Sequence, residues 1–291
     1  GGIPCAHLNR CCALESIGVY APLEFSDEIL SDIEKFKAYI FEKMKEVPAN
    51  FKEHPMGQAQ CQSSCLKVFE PASLRLVSFG EHSCNLRCPS CRQEFKKSSE
   101  KEVEAYFSAL EAFKGMGLVL CPNLSGEPFY YKDRFISFLR NLKREDYNQI
   151  AIVTNATLID DNFLEELKTF ECRNQVSFSV SIDSVIQETY CKTRFPATPA
   201  VYNKVLANID KLNSIVNENG KNPWKFNVSI TISNLNCSEQ ELTAYGEYFS
   251  KRGISMNGVV ALSPDDRFGY LREDPIVKDF VEKYHVNLRN S

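Results

Sequence analysis

Residues 175–183, QVSFSVSID, alternate without a break. Val176, Phe178, Val180 and Ile182 are apolar; Ser177, Ser179, Ser181 and Asp183 are polar. Residues 224–233, WKFNVSITIS, do the same, with Phe226, Val228, Ile230 and Ile232 set against Asn227, Ser229, Thr231 and Ser233. A period of two predicts a strand with one apolar and one polar face. Residues 73–80, 117–123, 149–155 and 254–263 read as four further strands. Between them the period changes. Ser99 and Glu102 form a capping-box pair ahead of a helix carrying Val103, Phe107, Leu110 and Phe113 on one face. Residues 131–142 and 160–170 predict two more helices, and Tyr202, Val205, Leu206, Ile209 and Leu212 mark another. Ser238 and Glu241 form a second capping-box pair, ahead of a helix to about residue 251.

Six strand-then-helix units predict an α/β chain with a parallel sheet and right-handed crossovers. Six are too few to close an eight-unit barrel. The expectation is a partial (β/α)6 TIM-like barrel over residues 71–265, with a tail at 266–291. Its outer face would carry the apolar residues, against the helices. Its inner face would carry the serines and asparagines, where a packed barrel would have branched apolar side chains. A polar lining predicts a wet, ligand-holding interior. The competing reading is an antiparallel sheet exposed on one side. Residues 1–70 do not join this rhythm. They hold PCAHLNRCC, an amphipathic helix around residues 26–44 and CQSSC, and read as a separate small Cys-rich domain.

Composition narrows the class. The 291 residues are 43% hydrophobic and 25% charged, enough for a real core. A net charge of -4 gives no reason to expect a nucleic acid or an anionic membrane as partner. No apolar run approaches the ~20 residues that span a bilayer. The first residues lack the basic and apolar regions of a signal peptide, so a cytoplasmic location is expected. The 12 cysteines then argue for metal or redox chemistry rather than a disulfide framework.

Three of them, Cys84, Cys88 and Cys91, are spaced C-x3-C-x2-C in the loop after the first barrel strand. That loop lies at the sheet edge where α/β enzymes bind ligands. Each iron of a cubane cluster takes a thiolate, so three leave one iron open to a small molecule. The alternative is a zinc site completed by His82 or a distant cysteine.

CNLRCPSC resembles the cluster loop of radical S-adenosylmethionine (AdoMet, SAM) enzymes, and the resemblance continues in order over residues 74–263. SGEP (125–128) resembles the family's Gly-Gly-Glu segment. TNAT (154–157) is similar to the TNGT of the branch with auxiliary-cluster SPASM or twitch domains. SIDSVIQETYCKTRF (181–195) resembles that branch's segment ending in an arginine, here Arg194. Ser90 stands where an aromatic residue is common, and Ser125 where the family has a glycine.

The resemblance implies an enzyme. Cys84, Cys88 and Cys91 would hold a [4Fe-4S] cluster, with AdoMet on the open iron. Gly126 and Glu127 would receive the AdoMet amino group and Arg194 its carboxylate. Ser179, Ser181 and Asp183 would face the ribose. An electron from a reductant such as flavodoxin or ferredoxin would cleave AdoMet to a 5′-deoxyadenosyl radical. The radical would take a hydrogen atom from a substrate, a peptide or protein first and a carbohydrate or other small molecule second. Cys191 or Cys237 could return a hydrogen atom. Cys5, Cys11, Cys12, Cys61 and Cys65 would hold an auxiliary iron–sulfur cluster, a zinc ion or no metal. A non-enzymatic zinc or iron–sulfur binding module is the rival class. Taken without the resemblance, Glu127 reads as an exposed turn carboxylate and Arg194 as half of a surface ion pair.

Overall fold

The computed structural model describes residues 6–9, 21–23, 73–76, 83–91, 99–122, 126–217, 225–260 and 273–289, with single helical positions at 35, 38, 39, 42 and 271. One sheet runs through it. Its strands are β1 (Ala6–Asn9), β2 (Ala21–Leu23), β3 (Ser73–Leu76), β4 (Val119–Cys121), β5 (Gln149–Thr154), β6 (Val176–Ser181), β7 (Phe226–Ile232), β8 (Ser255–Val260) and β9 (Asn287–Arg289). Their order is β2-β1-β3-β4-β5-β6-β7-β8-β9. Every pair from β3 to β9 is parallel, which removes the antiparallel reading. The six expected strands are all present, in an open α/β half-barrel.

Two features extend the expectation. β1 pairs antiparallel with both β2 and β3, so residues 6–9 belong to the same sheet. At the other end, the residues read as a tail contain a helix, α7 (Pro275–Lys283), and the parallel strand β9.

The crossover helices are α1 (Glu100–Ala112), α2 (Lys132–Arg140), α3 (Asp161–Leu167), α4 (Gln187–Thr193), α5 (Pro199–Asn217) and α6 (Glu239–Ser250). Their local causes are visible. Asp160 caps α3 by accepting from Phe163 N at 3.0 Å. Ser238 caps α6 by accepting from Glu241 N at 3.3 Å, the first half of the predicted capping box. The second half is absent because the Glu241 carboxylate bonds Ser184 Oγ (2.6 Å) and Thr189 Oγ1 instead, joining α6 to α4. On α5, Tyr202, Val205, Ile209, Leu212 and Val216 are buried at helical spacing. Full burial of each aliphatic side chain is worth about 1.5–3 kcal/mol, so Val205→Asp would detach this helix.

The helices lie on the apolar face of the sheet, over rows such as Phe178 beside Phe226 and Val180 beside Val228. The other face is the polar lining. Along β7, Phe226, Val228, Ile230 and Ile232 are buried while Asn227, Ser229 and Thr231 are half-buried. A hydrogen-bonded row crosses this face. Ser179 Oγ donates to Asn227 Oδ1 (2.6 Å), Asn257 Nδ2 donates to the same oxygen (2.7 Å), and Asn287 Nδ2 donates to Asn257 Oδ1 (3.2 Å). It reaches β9, so the last strand completes the inner wall.

Candidate active site

Residues 83–91 form a tight loop over the carboxyl ends of β5 and β6, held from three sides. On the first side, Glu127 N donates to Ser83 O at 2.9 Å. This approach requires Gly126. Its φ is +80, and a Cβ there would sit 2.8 Å from Ser83 O. On the second side is the turn Thr154–Thr157 that ends β5. Asn85 Nδ2 donates to Thr157 Oγ1 (2.8 Å), and Asn155 Nδ2 donates to Asn85 Oδ1 (3.2 Å). On the third side, Arg87 N donates to Phe195 O at 2.5 Å. Within the loop, Cys91 N donates to Cys88 O at 2.9 Å.

The three cysteines are half-buried on this loop. Nitrogen donors approach two of the sulfurs. Leu86 N lies 3.4 Å and Asn155 Nδ2 3.7 Å from Cys84 Sγ, and Arg194 Nη1 lies 3.9 Å from Cys88 Sγ. Burial pushes the Cys84 thiol up to about 11, helped by the negative charge of Glu127 and the neighbouring thiols. Burial also raises Cys88, against the pull of Arg194. A cationic metal centre would reverse that balance and hold the thiolates.

Glu127 is 2% exposed, so it is not a surface turn carboxylate. It accepts from Thr154 Oγ1 (2.6 Å), Asn155 N (2.7 Å) and Phe129 N (3.2 Å). Its carboxylate thus joins the Gly126 turn to the Thr154–Thr157 turn, and its own amide joins both to Ser83. Burial raises its pKa from 4.5 to about 7, against these three donors.

Arg194 is 9% exposed, so it is not half of a surface ion pair. Its Nη2 donates to Asp183 Oδ1 at 2.8 Å, and its Nε lies 2.7 Å from Oδ2. Asp183 also accepts from Thr231 N at 2.8 Å, and Asn236 Nδ2 donates to the Asp183 carbonyl at 2.7 Å. The pair therefore locks the ends of β6 and β7 and aims the third guanidinium nitrogen at Cys88. Ser179 is bonded into the inner-wall row, and Ser181 is half-buried on the same face. Cys191 and Cys237 pack half-buried against the hydrophobic core. Cys5, Cys11, Cys12, Cys61 and Cys65, like His82, lie outside the described residues.

Asn85, Asn155 and Thr157 received no role from the sequence, yet they hold the loop. The signal was present as TNAT, but its partner is about 70 positions away.

Among the described residues, no three His, Cys, Asp or Glu side chains converge as ligands of a single ion. Ligands about 2.3 Å from one zinc would crowd their sulfurs within roughly 4 Å of each other. A cubane binds its thiolates at separate corners and needs no such convergence. Three thiols on one loop, with N–H groups directed at the sulfurs of Cys84 and Cys88, fit an iron–sulfur cluster. No helix among the described residues is long and apolar enough to cross a membrane.

Comparison with known proteins adds the context. Residues 82–222 match the radical SAM superfamily. The antilisterial bacteriocin subtilosin biosynthesis protein AlbA of Bacillus subtilis (strain 168) is 25% identical over 111 residues, which are 38% of this chain and 24% of AlbA. The crystal structure of Streptococcus suis SuiB bound to S-adenosylmethionine superposes with a TM-score of 0.51 at 16% identity, covering 75% of this chain and 47% of SuiB. SuiB bound to its precursor peptide SuiA gives 0.50 at 17% identity, covering 75% of this chain and 48% of SuiB. At these identities the superposition shows a shared fold. The chain spans less than half the length of each of these relatives.

Proposed function

Because residues 82–222 are a radical SAM domain, we propose that the chain is an AdoMet-dependent enzyme that starts radical chemistry on a peptide substrate. The cysteine loop carries this reading, with Cys84, Cys88 and Cys91 the ligands of a [4Fe-4S] cluster. When bound and reduced, the cluster supplies the electron that splits AdoMet into methionine and a radical able to take hydrogen from carbon.

The residues of the chain do the rest. The Gly126, Thr154–Thr157 and Phe195 anchors hold the loop with groups of the chain itself. N–H groups from Leu86, Asn155 and Arg194 spread the negative charge of the thiolates. The backbone at Gly126 and the half-buried hydroxyls of Ser179 and Ser181 are the groups offered to AdoMet. Glu127, Asp183 and Arg194 shape that site, with Arg194 also supplying positive charge for the AdoMet carboxylate. Cys191 and Cys237 stay candidates for hydrogen return, tested by product stereochemistry in the Cys191→Ala and Cys237→Ala variants. The neutral inner wall suits main-chain amide groups. AlbA is named for bacteriocin biosynthesis and SuiB crystallised with a precursor peptide, which supports a peptide over a carbohydrate substrate.

The test is anaerobic reconstitution with iron and sulfide. A visible iron–sulfur absorbance, and 5′-deoxyadenosine on adding dithionite and AdoMet, are expected. Cys84→Ala should abolish that product in a folded protein. A colourless protein with stoichiometric zinc would overturn the proposal. Iron that survives the triple Cys84→Ala, Cys88→Ala, Cys91→Ala change would report a second centre on Cys5, Cys11, Cys12, Cys61 and Cys65.

A further inference from the structure

We propose that the groove between α6 and α7 holds a lysine or arginine side chain of the peptide substrate, at a position other than the residue that reacts. The proposal rests on the peptide reading above. The two helices touch where the Tyr284 ring, at the end of α7, lies on Gly246; a Cβ at Gly246 would sit 2.3 Å from that ring. Toward their first turns they leave a cavity of about 240 Å³. Its floor is apolar, with Leu242 and Phe280 only 1% and 2% exposed. Its lip is apolar as well, although it faces water: Pro275 and Ile276 are exposed, Ile276 by 38%. Each helix adds one carboxylate to the lining, Glu239 from α6 and Asp279 from α7.

Neither carboxylate has an ion pair among the described residues, and the cations of the two helices are engaged elsewhere. Lys278 pairs with Glu273 at 2.5 Å, and Lys283 Nζ lies 5.2 Å from the centre of the Tyr284 ring. From Glu239 to Ser250, α6 carries no lysine or arginine. The helix dipole accounts for an acid in the first turn of α6, but not for Asp279 in the second turn of α7. An apolar floor between two unpaired carboxylates matches one side-chain chemistry, an aliphatic stem ending in a cation. The stem would lie on Leu242, Phe280 and Ile276, with its head between Glu239 and Asp279. An anionic occupant would meet like charge, and a wholly apolar one would bury carboxylates without partners. The groove also starts near the candidate active site. Just before α6, Asn236 Nδ2 donates to the Asp183 carbonyl at 2.7 Å, bracing the Asp183–Arg194 pair. A basic residue held there would select the peptide by a contact remote from the reacting carbon, which is where binding energy can serve orientation.

The probes are two fluorescein-labelled peptides of leucine and serine, identical except that one carries lysines where the other carries glutamates. In fluorescence anisotropy on cluster-loaded protein, the lysine probe should bind at least about tenfold more tightly than the glutamate probe. Glu239→Gln combined with Asp279→Asn keeps the shape of the groove and should remove that preference. Ile276→Ser should weaken the lysine probe by about threefold or more, through the lost apolar contact. Glu165→Gln combined with Glu188→Gln removes two exposed carboxylates elsewhere. That pair measures diffuse attraction to an acidic chain, and it should change binding by less than about twofold. In hydrogen exchange the lysine probe should protect residues 239–246 and 275–284. A preference that survives Glu239→Gln with Asp279→Asn, an equal loss in the control pair, or protection confined to other segments would overturn the proposal. Peptide-independent 5′-deoxyadenosine formation with dithionite should be the same in all these variants. Its absence from the parent protein would instead overturn the radical reading, while probe binding would still report on the groove.

Discussion

Replacing Arg194 by Met tests whether Asp183 holds it. In the folded chain Asp183 is 2% exposed. Its carboxylate has the Arg194 guanidinium at 2.7 and 2.8 Å and Thr231 N at 2.8 Å. Arg194→Met removes the charge partner and leaves a buried carboxylate with one main-chain donor. Breaking a buried pair in this way costs about 3–5 kcal/mol. A domain of ordinary stability has about 5–15 kcal/mol in total, so the variant should lose a large part of it. Adding Asp183→Asn removes the stranded charge. The double variant should therefore be more stable than the sum of the single losses, with a coupling of about 1.5–3 kcal/mol. The assay is urea unfolding of cluster-free protein under anaerobic, reducing conditions, followed by circular dichroism. Additive losses, or an Arg194→Met cost below about 1 kcal/mol, would refute the strut. Arg194 would then be available as a plain ligand for the AdoMet carboxylate.

Further predictions concern the loop. Gly126→Ala should destabilise by about 1–3 kcal/mol, from the left-handed φ and the approach to Ser83 O, and lower the iron retained after desalting. Glu127 has a folded pKa raised to about 7 from 4.5. The stability held by its neutral form is full below 4.5 and is lost as pH rises through about 7. The parent should therefore lose stability relative to Glu127→Gln between those limits, as measured by thermal unfolding at stepped pH; a constant offset would count against the raised value. Asn155→Ala removes the N–H group 3.7 Å from Cys84 Sγ. The reduced cluster should then be less stabilised and its reduction potential lower, read by redox titration with electron paramagnetic resonance.

Much of this was legible in the chain. The alternation in β6 and β7 announced both the strands and the polar inner wall, because a half-barrel exposes one face to its interior. What was missed was short or long-range. β9 has three residues, Asn287, Leu288 and Arg289, too few to show a period. It is held by register, with Asn257 beside Asn287 and Leu288 beside Gly258, whose missing side chain leaves Leu288 room to pack. β1 has only four residues, and its pairing with β3 joins Asn9 to Ser73 and Ala6 to Leu76, far apart in sequence. Without the family resemblance, which put it at AdoMet, Glu127 reads as a turn residue, because its partners Thr154 and Asn155 are 27 and 28 residues away. Without that resemblance Arg194 reads as half of a surface ion pair, because nothing in the sequence shows that Asp183, 11 residues before it, is buried. In each case the residue type was visible and the partner was not.

The anchoring of the cysteine loop bears on the order of events in the life of the protein. Ser83, Asn85 and Arg87 are tied down by Glu127, Thr157, Asn155 and Phe195, all groups of the chain itself. In a zinc finger the metal supplies the folding free energy, and a chelator denatures the domain. Here the anchoring bonds come from the chain itself, so a chelator is expected to strip the loop without unfolding the sheet. Protein whose cluster has been destroyed by oxygen is therefore expected to keep its circular dichroism and to take up iron and sulfide again; unfolding on loss of the cluster would refute this.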